Sequence, residues 1–190
     1  MEKWILAKYG YSTTETKISA FGSGLINHTW KVVTKHGAFI LQRINTNIFK
    51  NPEYIDHNLD LLKQYFNQNT PGYLFVAPLP TLTGDTYVLD KGDFYRFMPF
   101  VTGSHSVDFI SNHGQAYQAA KQFGKFSALL KGFELSLLKD TLPDFHNLLL
   151  RSDQFLSALT NGNQQRVEEA AIEIHKIEQY KDIETQYRKI

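Results

Sequence analysis

Cysteine is absent from the 190-residue sequence. Its absence excludes a disulfide scaffold, a zinc site with thiolate ligands and a cysteine nucleophile. A surplus of charge is also missing, because 20 Lys and Arg residues nearly balance 19 Asp and Glu residues. A dedicated nucleic-acid-binding protein needs a strongly basic surface, so we expect no nucleic-acid partner.

Long apolar runs are missing as well. No stretch of the sequence approaches the roughly 20 apolar residues that cross a bilayer. The first residues, MEKWILAKYGY, also lack the unbroken apolar core of a signal peptide. The sequence therefore predicts a cytoplasmic protein without a membrane partner.

Apolar and aromatic residues are abundant by contrast. Hydrophobic side chains make up 42% of the sequence and aromatic ones 14%, too much apolar surface for a disordered chain. Residues 17–44 and 74–101 contain β-branched and aromatic runs separated by Gly-containing turns, whereas residues 104–190 show helical spacing. Strands followed by helices predict an α+β fold with two lobes and a seam near residues 98–104.

Capping and turn residues predict the boundaries of the individual elements. Asn51 and Pro52 are typical of a helix start, and Pro71 with Gly72 indicates that this helix ends near residue 69. We expect strands at 17–21, 29–34 and 38–44, and short strands within 74–101 that are split at Gly84-Asp85 and at residues 91–93. We expect helices at 3–9, 51–69, 116–130, 144–159 and 164–181.

The first candidate for a chemical site is the segment from Phe21 to Thr29, which contains Gly22 and Gly24 between two predicted strands. Glycine has no Cβ, so backbone N–H groups can approach a phosphate closely. The Gly-Lys-Ser/Thr of a Walker loop is missing, and a strand rather than a helix follows. The arrangement matches the hairpin that covers nucleotide phosphates in kinases. An ordinary Gly-rich hairpin turn is the alternative interpretation.

Two further candidates follow along the chain. Arg43 ends the third predicted strand, from which a basic residue can reach the α- and β-phosphates of a nucleotide. The alternative for Arg43 is a strand end in solvent. The seam from Tyr95 to Gly103 is an apolar extended connection that can hold an adenine through backbone groups. A buried edge strand is the alternative for the seam.

Taken together, these segments resemble the aminoglycoside phosphotransferase and choline kinase superfamily, whose members have a protein-kinase-like fold. Three strings are similar to those of the N-acetylhexosamine 1-kinases: LQRINTNIFKNP at 41–52, FYRF at 94–97, and LPDFH at 142–146 with Arg151 downstream. The resemblance covers residues 19–160. It implies a nucleotide-binding lobe at residues 1–101, made of an antiparallel sheet with one helix, and part of a helical C-terminal lobe at residues 102–190.

The resemblance also implies which residues bind the nucleotide. They belong to the phosphate loop, the third strand and the seam: Ser23, Gly24, Asn27, Arg43, Pro99 and Val101. The adenine would receive a hydrogen bond from the N–H of Val101 and donate one to the carbonyl of Pro99, which needs no N–H for this role.

Two other roles follow from the resemblance. In the family, a Glu of the next helix pairs with the basic residue, and here Asp56 and His57 are the candidates for that ion pair. His105 and His146 would lie near the approaching sugar, as candidate substrate-binding residues.

One part of the family pattern is missing. Phosphoryl transfer in this superfamily uses a His-x-Asp-x-x-x-x-Asn loop and a later acidic residue that binds Mg²⁺. Residues 1–190 contain no such loop. We therefore expect the N-terminal part of a longer enzyme, with no catalytic or metal-binding residue in this chain and no turnover by the chain alone.

The function implied for the complete enzyme is ATP-dependent transfer of a phosphoryl group to the anomeric hydroxyl of an N-acetylhexosamine, in carbohydrate metabolism. ATP, Mg²⁺ and an amino sugar are then the expected cofactors and partners. A kinase of choline, homoserine or an aminoglycoside is one alternative, and a non-catalytic nucleotide-binding or interaction module is another. A truncated helical lobe would leave a stripe of Val167, Ile174 and Ile177 exposed, which favours a dimer.

Overall fold

A five-stranded antiparallel sheet forms the first part of the protein. The computed structural model describes residues 4–187 and 189. The spatial order of the strands is β1-β2-β3-β5-β4. Their bounds are β1 Lys17–Ala20, β2 His28–Thr34, β3 Gly37–Ile44, β4 Tyr87–Asp90 and β5 Asp93–Pro99.

Helices precede the sheet, interrupt it and follow it. Their bounds are α1 Ile5–Lys8, α2 Pro52–Asn69, α3 His113–Leu129, α4 Leu148–Asn161, α5 Gln164–Glu169, α6 Ala171–Gln179 and α7 Asp182–Tyr187, with a 3-10 turn at Leu135–Leu137. The predicted α+β class is confirmed. The helix expected at 164–181 is divided at Ala170, which ends α5 and precedes α6.

The residues group into two compact units, one up to Thr141 and the other from Leu142 onward. The first unit extends past the seam because the chain that follows α3 packs on α2. There, the hydroxyl of Tyr65 donates to the carbonyl of Lys131 at 2.9 Å, and its ring meets Phe133 edge-on. The lobe boundary expected between residues 101 and 102 falls inside this unit and stays a prediction.

One face of the sheet packs on α1, and we name it the α1 face. Successive side chains of a strand point to opposite faces, so residues paired across neighbouring strands share a face. Leu41 lies opposite Trp30 of β2 and Phe97 of β5. The buried side chains that pack together on this face are Ile5, Leu6, Tyr9, Val32, Leu41, Val88, Tyr95 and Phe97.

The opposite face, which we name the distal face, carries more polar side chains. Strand register assigns to it Thr29, Lys31, Ile40, Gln42, Ile44, Phe94, Arg96 and Met98. Ile44 and Phe94 are paired on this face and almost fully buried. The two faces therefore differ in chemistry, apolar toward α1 and mixed on the distal side.

The segment before Gly84 differs from the expected strand. Residues 74–83 form no strand, although the N–H of Leu79 donates to the carbonyl of Phe97 at 2.7 Å. Pro78 and Pro80 have no N–H group, so the segment cannot continue a ladder of hydrogen bonds along β5. The β4–β5 hairpin, which turns at Lys91 and Gly92, agrees with the expected turn at 91–93.

Tyr9 supplies a testable feature of the α1 face. Its hydroxyl is buried and, within residues 4–187 and 189, has no hydrogen-bond partner. We expect Tyr9→Phe to leave the free energy of unfolding unchanged at pH 7 or to raise it by about 1 kcal/mol, because an unsatisfied polar group is removed. Urea unfolding followed by circular dichroism measures this difference, and a loss above about 1 kcal/mol would contradict it.

The same residue predicts a dependence on pH. Burial, assisted by the charge of Asp56, raises the pKa of Tyr9 above its ordinary value. Above about pH 10 the unfolded chain loses this proton while the folded chain keeps it, so stability falls as the pH rises. We expect a smaller alkaline loss of stability in Tyr9→Phe than in the parent protein. Equal losses in both proteins would refute the assignment.

Candidate nucleotide-binding site

The glycine loop connects β1 to β2 at residues 21–27. The N–H of Phe21 donates to the carbonyl of Thr29 at 3.0 Å and closes the base of the loop. Gly22 has a φ of 80°, a left-handed conformation that side chains disfavour. At the tip Leu25 is 99% exposed. The loop therefore turns at Gly22 and is open to solvent at its tip.

Two side chains of the loop contact distant parts of the chain. The hydroxyl of Ser23 donates to Oδ1 of Asp108 at 2.8 Å, which joins the loop to the segment after the seam. Asn27 accepts through its Oδ1 from the N–H of Asn45 at 3.0 Å and so fixes the loop to the end of β3. The loop is therefore held at two points, to the segment after the seam through Ser23 and to the end of β3 through Asn27.

The seam leaves β5 at Pro99. The N–H of Phe100 donates to the carbonyl of Ala38 at 3.1 Å, so Phe100 and Ala38 form a hydrogen-bonded pair. In an antiparallel pair, neighbouring residues point their polar groups in opposite directions, so the carbonyl of Pro99, which is paired with Phe39, faces away from β3. Val101 follows the end of β5, and its carbonyl accepts from the N–H of Ser104 at 3.1 Å. The carbonyl of Pro99 therefore points to the side of β5 that β3 does not cover.

Aromatic and basic side chains join the loop to the seam. The ring of Phe21 meets Phe100 edge-on, with centroids 5.6 Å apart, and Nζ of Lys31 lies 3.8 Å from the centroid of Phe100. Lys31 belongs to the distal face. The sequence places Phe21 at the start of the candidate loop without a role of its own, and it does not single out Lys31, because nothing in the local pattern distinguishes Lys31 from an ordinary strand residue.

Arg43 lies on the α1 face, at the end of β3. Its Nη1 donates to Oδ2 of Asp93 at 3.2 Å, and the hydroxyl of Tyr95 donates to the same oxygen at 3.3 Å. The guanidinium is about one-third exposed. Asp93 was not predicted as its partner, because the pairing of β3 with β5 brings together residues 50 positions apart.

The two ion-pair candidates on α2 make other contacts in this structure. Asp56 accepts through Oδ1 from the hydroxyl of Thr86 at 2.6 Å. Nε2 of His57 lies 3.0 Å from the carbonyl of Leu137, and that ring nitrogen must carry the proton to donate there. The structure therefore pairs Arg43 with Asp93 and holds Asp56 and His57 elsewhere.

Arg96 forms a hydrogen-bonded chain on the distal face that the sequence did not predict. Its Nε and Nη2 both donate to Oε1 of Gln42, at 3.0 and 2.7 Å, and Nε2 of Gln42 donates to Oγ1 of Thr29 at 3.1 Å. Burial lowers the pKa of Arg96, and the charge of Asp56 opposes that shift. Arg96 lies in a largely apolar strand, FYRFMP. Its partners are determined by the register of β5 against β3, which the sequence alone does not give.

Comparison with known proteins identifies the relatives of this arrangement. A model described as the phosphotransferase enzyme family matches residues 17–189, most of the chain. The chain belongs to this family. The expected resemblance to the aminoglycoside phosphotransferase superfamily is thereby confirmed, whereas the narrower likeness to N-acetylhexosamine kinases stays a prediction.

A solved structure shares the fold of this chain. It is a spectinomycin phosphotransferase in complex with ADP and spectinomycin, with a TM-score of 0.61 and 14% sequence identity. The match covers 99% of this chain and 57% of that one, so this chain spans little more than half the length of its structural relative. The kinase-like fold expected from the sequence is confirmed.

The candidate substrate histidines lie in different units. His105 is exposed, in the irregular segment after the seam. His146 precedes α4, where its ring meets Phe145 edge-on and its carbonyl accepts from the hydroxyl of Tyr187 at 3.4 Å. Their roles toward an acceptor stay predictions.

Metal-ligand clusters and membrane-spanning helices are both absent from the part of the chain that the structure describes. Among residues 4–187 and 189, no three His, Asp or Glu side chains are grouped so that they could hold a metal ion. Over the same residues, every helix is too short or too polar to cross a membrane.

Proposed function

We propose that this chain forms the nucleotide-binding part of an ATP-dependent small-molecule phosphotransferase. The observation that carries the proposal is the meeting of the glycine loop and the seam at one sheet, where Phe21 contacts Phe100. A nucleotide has an apolar base and a charged phosphate tail. The apolar seam suits the base, and the backbone N–H groups of the glycine loop suit the phosphates. The ADP bound by the spectinomycin phosphotransferase supports the same assignment.

The residues present fit a nucleotide in the following way. The carbonyl of Pro99 and the N–H of Val101 would bind the adenine edge, beside the ring of Phe21. Ser23 and the backbone of Gly24 would lie along the phosphates, with Asn27 holding the end of the loop. When bound, Mg²⁺ would neutralise phosphate charge, and we place its ligands and the catalytic base outside this sequence, which lacks the His-x-Asp-x-x-x-x-Asn loop.

For the acceptor we propose the anomeric hydroxyl of an N-acetylhexosamine. The strings at residues 41–52, 94–97 and 142–146 support this choice. An aminoglycoside-type acceptor is the second candidate, favoured by the spectinomycin in the structural relative. Phosphoryl transfer assays of a polypeptide that includes the catalytic loop, with both acceptors in parallel, decide between them. The dimer expected through the α5–α6 stripe remains a separate prediction, which light scattering tests.

The proposal predicts nucleotide binding without turnover by residues 1–190. Isothermal titration with ADP should show saturable binding, and incubation with Mg-ATP and N-acetylglucosamine should yield sugar phosphate at the background rate. The reason is that positioning and charge stabilisation by the base and the metal supply most of the rate enhancement. A rate above background would contradict the placement of the base outside the chain, and a failure to bind ADP would refute the proposed function.

A further inference from the structure

The side chains of Arg43 and Arg96 lie on opposite faces of the sheet. Register pairs Arg43 with Tyr95 and Gln42 with Arg96. Arg43 therefore shares the α1 face with the buried core, and Arg96 belongs to the distal face. A nucleotide that binds on one face of the sheet can reach only one of the two guanidinium groups directly.

The distal face is the face that the candidate site uses. Lys31, on this face, lies against Phe100 of the seam and 6.0 Å from the ring centroid of Phe21 at the start of the glycine loop. Thr29 is also on this face, two residues beyond Asn27 of the loop. The loop and the seam thus approach the sheet from the side on which Arg96 lies.

A chain of hydrogen bonds connects the end of the loop to Arg96. It runs from Thr29 on β2 through Gln42 on β3 to Arg96 on β5, with links of 3.1, 3.0 and 2.7 Å. Neighbouring strands are about 4.8 Å apart, so Arg96 stands about 10 Å across the sheet from the loop end. Phosphates bound beneath the loop, as the proposed function places them, would be within reach of a guanidinium that extends from β5 across β3.

The charges of the two arginines are balanced differently. Arg43 forms a salt bridge with Asp93, whose Oδ2 lies 3.2 Å from Nη1 of the arginine. Arg96 bonds instead to the neutral amide of Gln42, and no carboxylate of the described residues comes within 4.0 Å of it. The charge of Asp56 acts on Arg96 from beyond that distance, so this partly buried cation has no direct ionic partner in the described part of the chain, and an approaching anion would stabilise it. A phosphate is such an anion, and guanidinium groups bind phosphates well.

We propose that Arg96, rather than Arg43, is the residue that binds the nucleotide phosphates, and that Gln42 is its positioning residue. This inference rests on the proposed function and reassigns the basic residue of that site from β3 to β5. The Arg43–Asp93 pair then has a structural role on the α1 face, where it joins the end of β3 to the start of β5.

The test compares ADP with adenosine, because adenosine lacks the phosphates. By isothermal titration, Arg96→Met should raise the Kd for ADP about tenfold or more, the cost of a lost charge-assisted bond. Its Kd for adenosine should stay within about twofold of the parent value, a change too small to represent a lost hydrogen bond. Arg43→Met should leave both Kd values unchanged. Arg166→Gln, which removes an exposed charge in α5, controls for net charge.

Gln42→Glu provides a variant that does not depend on removing Arg96. The new carboxylate would keep the shape of Gln42 and form an ion pair with Arg96, so it would compete with a phosphate. We expect a weaker affinity for ADP, an unchanged affinity for adenosine and a melting temperature at or above that of the parent. If Arg96 had only a structural role, the ion pair would leave the affinity for ADP unchanged.

Each outcome supports or overturns the assignment. Equal losses of ADP and adenosine affinity in Arg96→Met and none in Gln42→Glu would make Arg96 a structural residue. A loss of ADP affinity in Arg43→Met alone would return the role to β3. In both cases the proposed function survives, because the parent chain still binds ADP. Absence of ADP and adenosine binding by the parent chain would overturn the proposed function together with this assignment.

Discussion

Replacing Phe97 with alanine is expected to lower the free energy of unfolding by about 3–5 kcal/mol. Phe97 is 0% exposed and sits at the centre of the α1 face. Its ring contacts Phe39, Tyr9 and Tyr11, with centroids 4.9, 5.0 and 5.5 Å apart. Truncation removes those contacts and leaves a cavity that the paired strands β3 and β5 cannot close.

The matched control is Phe123→Ala in α3. Phe123 is 74% exposed, so the same chemical change removes little buried surface. We expect a loss within about 0.5 kcal/mol. Urea unfolding of both variants, followed by circular dichroism, gives the comparison. Similar losses in the two variants would show that the α1 face is not the main core of the chain.

The fold was predictable where the local sequence alone determines structure. The β-branched and aromatic runs that became β2 and β3, and the Asn51-Pro52 start of α2, depend on neighbouring residues. The apolar residues 73–76 predict a strand at the start of the segment before Gly84. Pro78 and Pro80 have no N–H group, so the segment cannot form a continuous ladder of hydrogen bonds with β5. Ala170 divides the last predicted helix, although no Gly or Pro marks that position.

The candidate site was predictable in its backbone segments and less so in its side chains. A glycine pair between strands and an apolar connection between lobes are visible in one sequence, so Ser23, Gly24 and Val101 could be named. Which of two adjacent residues, Gln42 or Arg43, faces the ligand depends on the face of the strand. A shift of one residue reverses that face. The pairing of the strands determines which of the two residues lies on the distal face, and this pairing cannot be predicted from one sequence.

Replacing Val101 with proline is expected to weaken binding of ADP and adenosine by about tenfold or more, because it removes the N–H proposed to bind the adenine edge. The adenine acceptor would then be buried without a partner. Isothermal titration measures both ligands, and circular dichroism checks that the variant folds. Unchanged affinity for both ligands would mean that the adenine does not use this N–H.

Thr102→Pro is the matched control, because the residues that follow Val101 form a turn that accepts proline. The N–H of Ser104 donates to the carbonyl of Val101 at 3.1 Å, and Gly103 has a φ of 80°, the geometry of a type II turn. Thr102 is the second residue of that turn, where proline is favoured. We therefore expect Thr102→Pro to bind both ligands as the parent does. Val101→Pro should weaken ADP and adenosine alike, whereas Arg96→Met should weaken ADP alone. This difference would separate the adenine end of the site from its phosphate end.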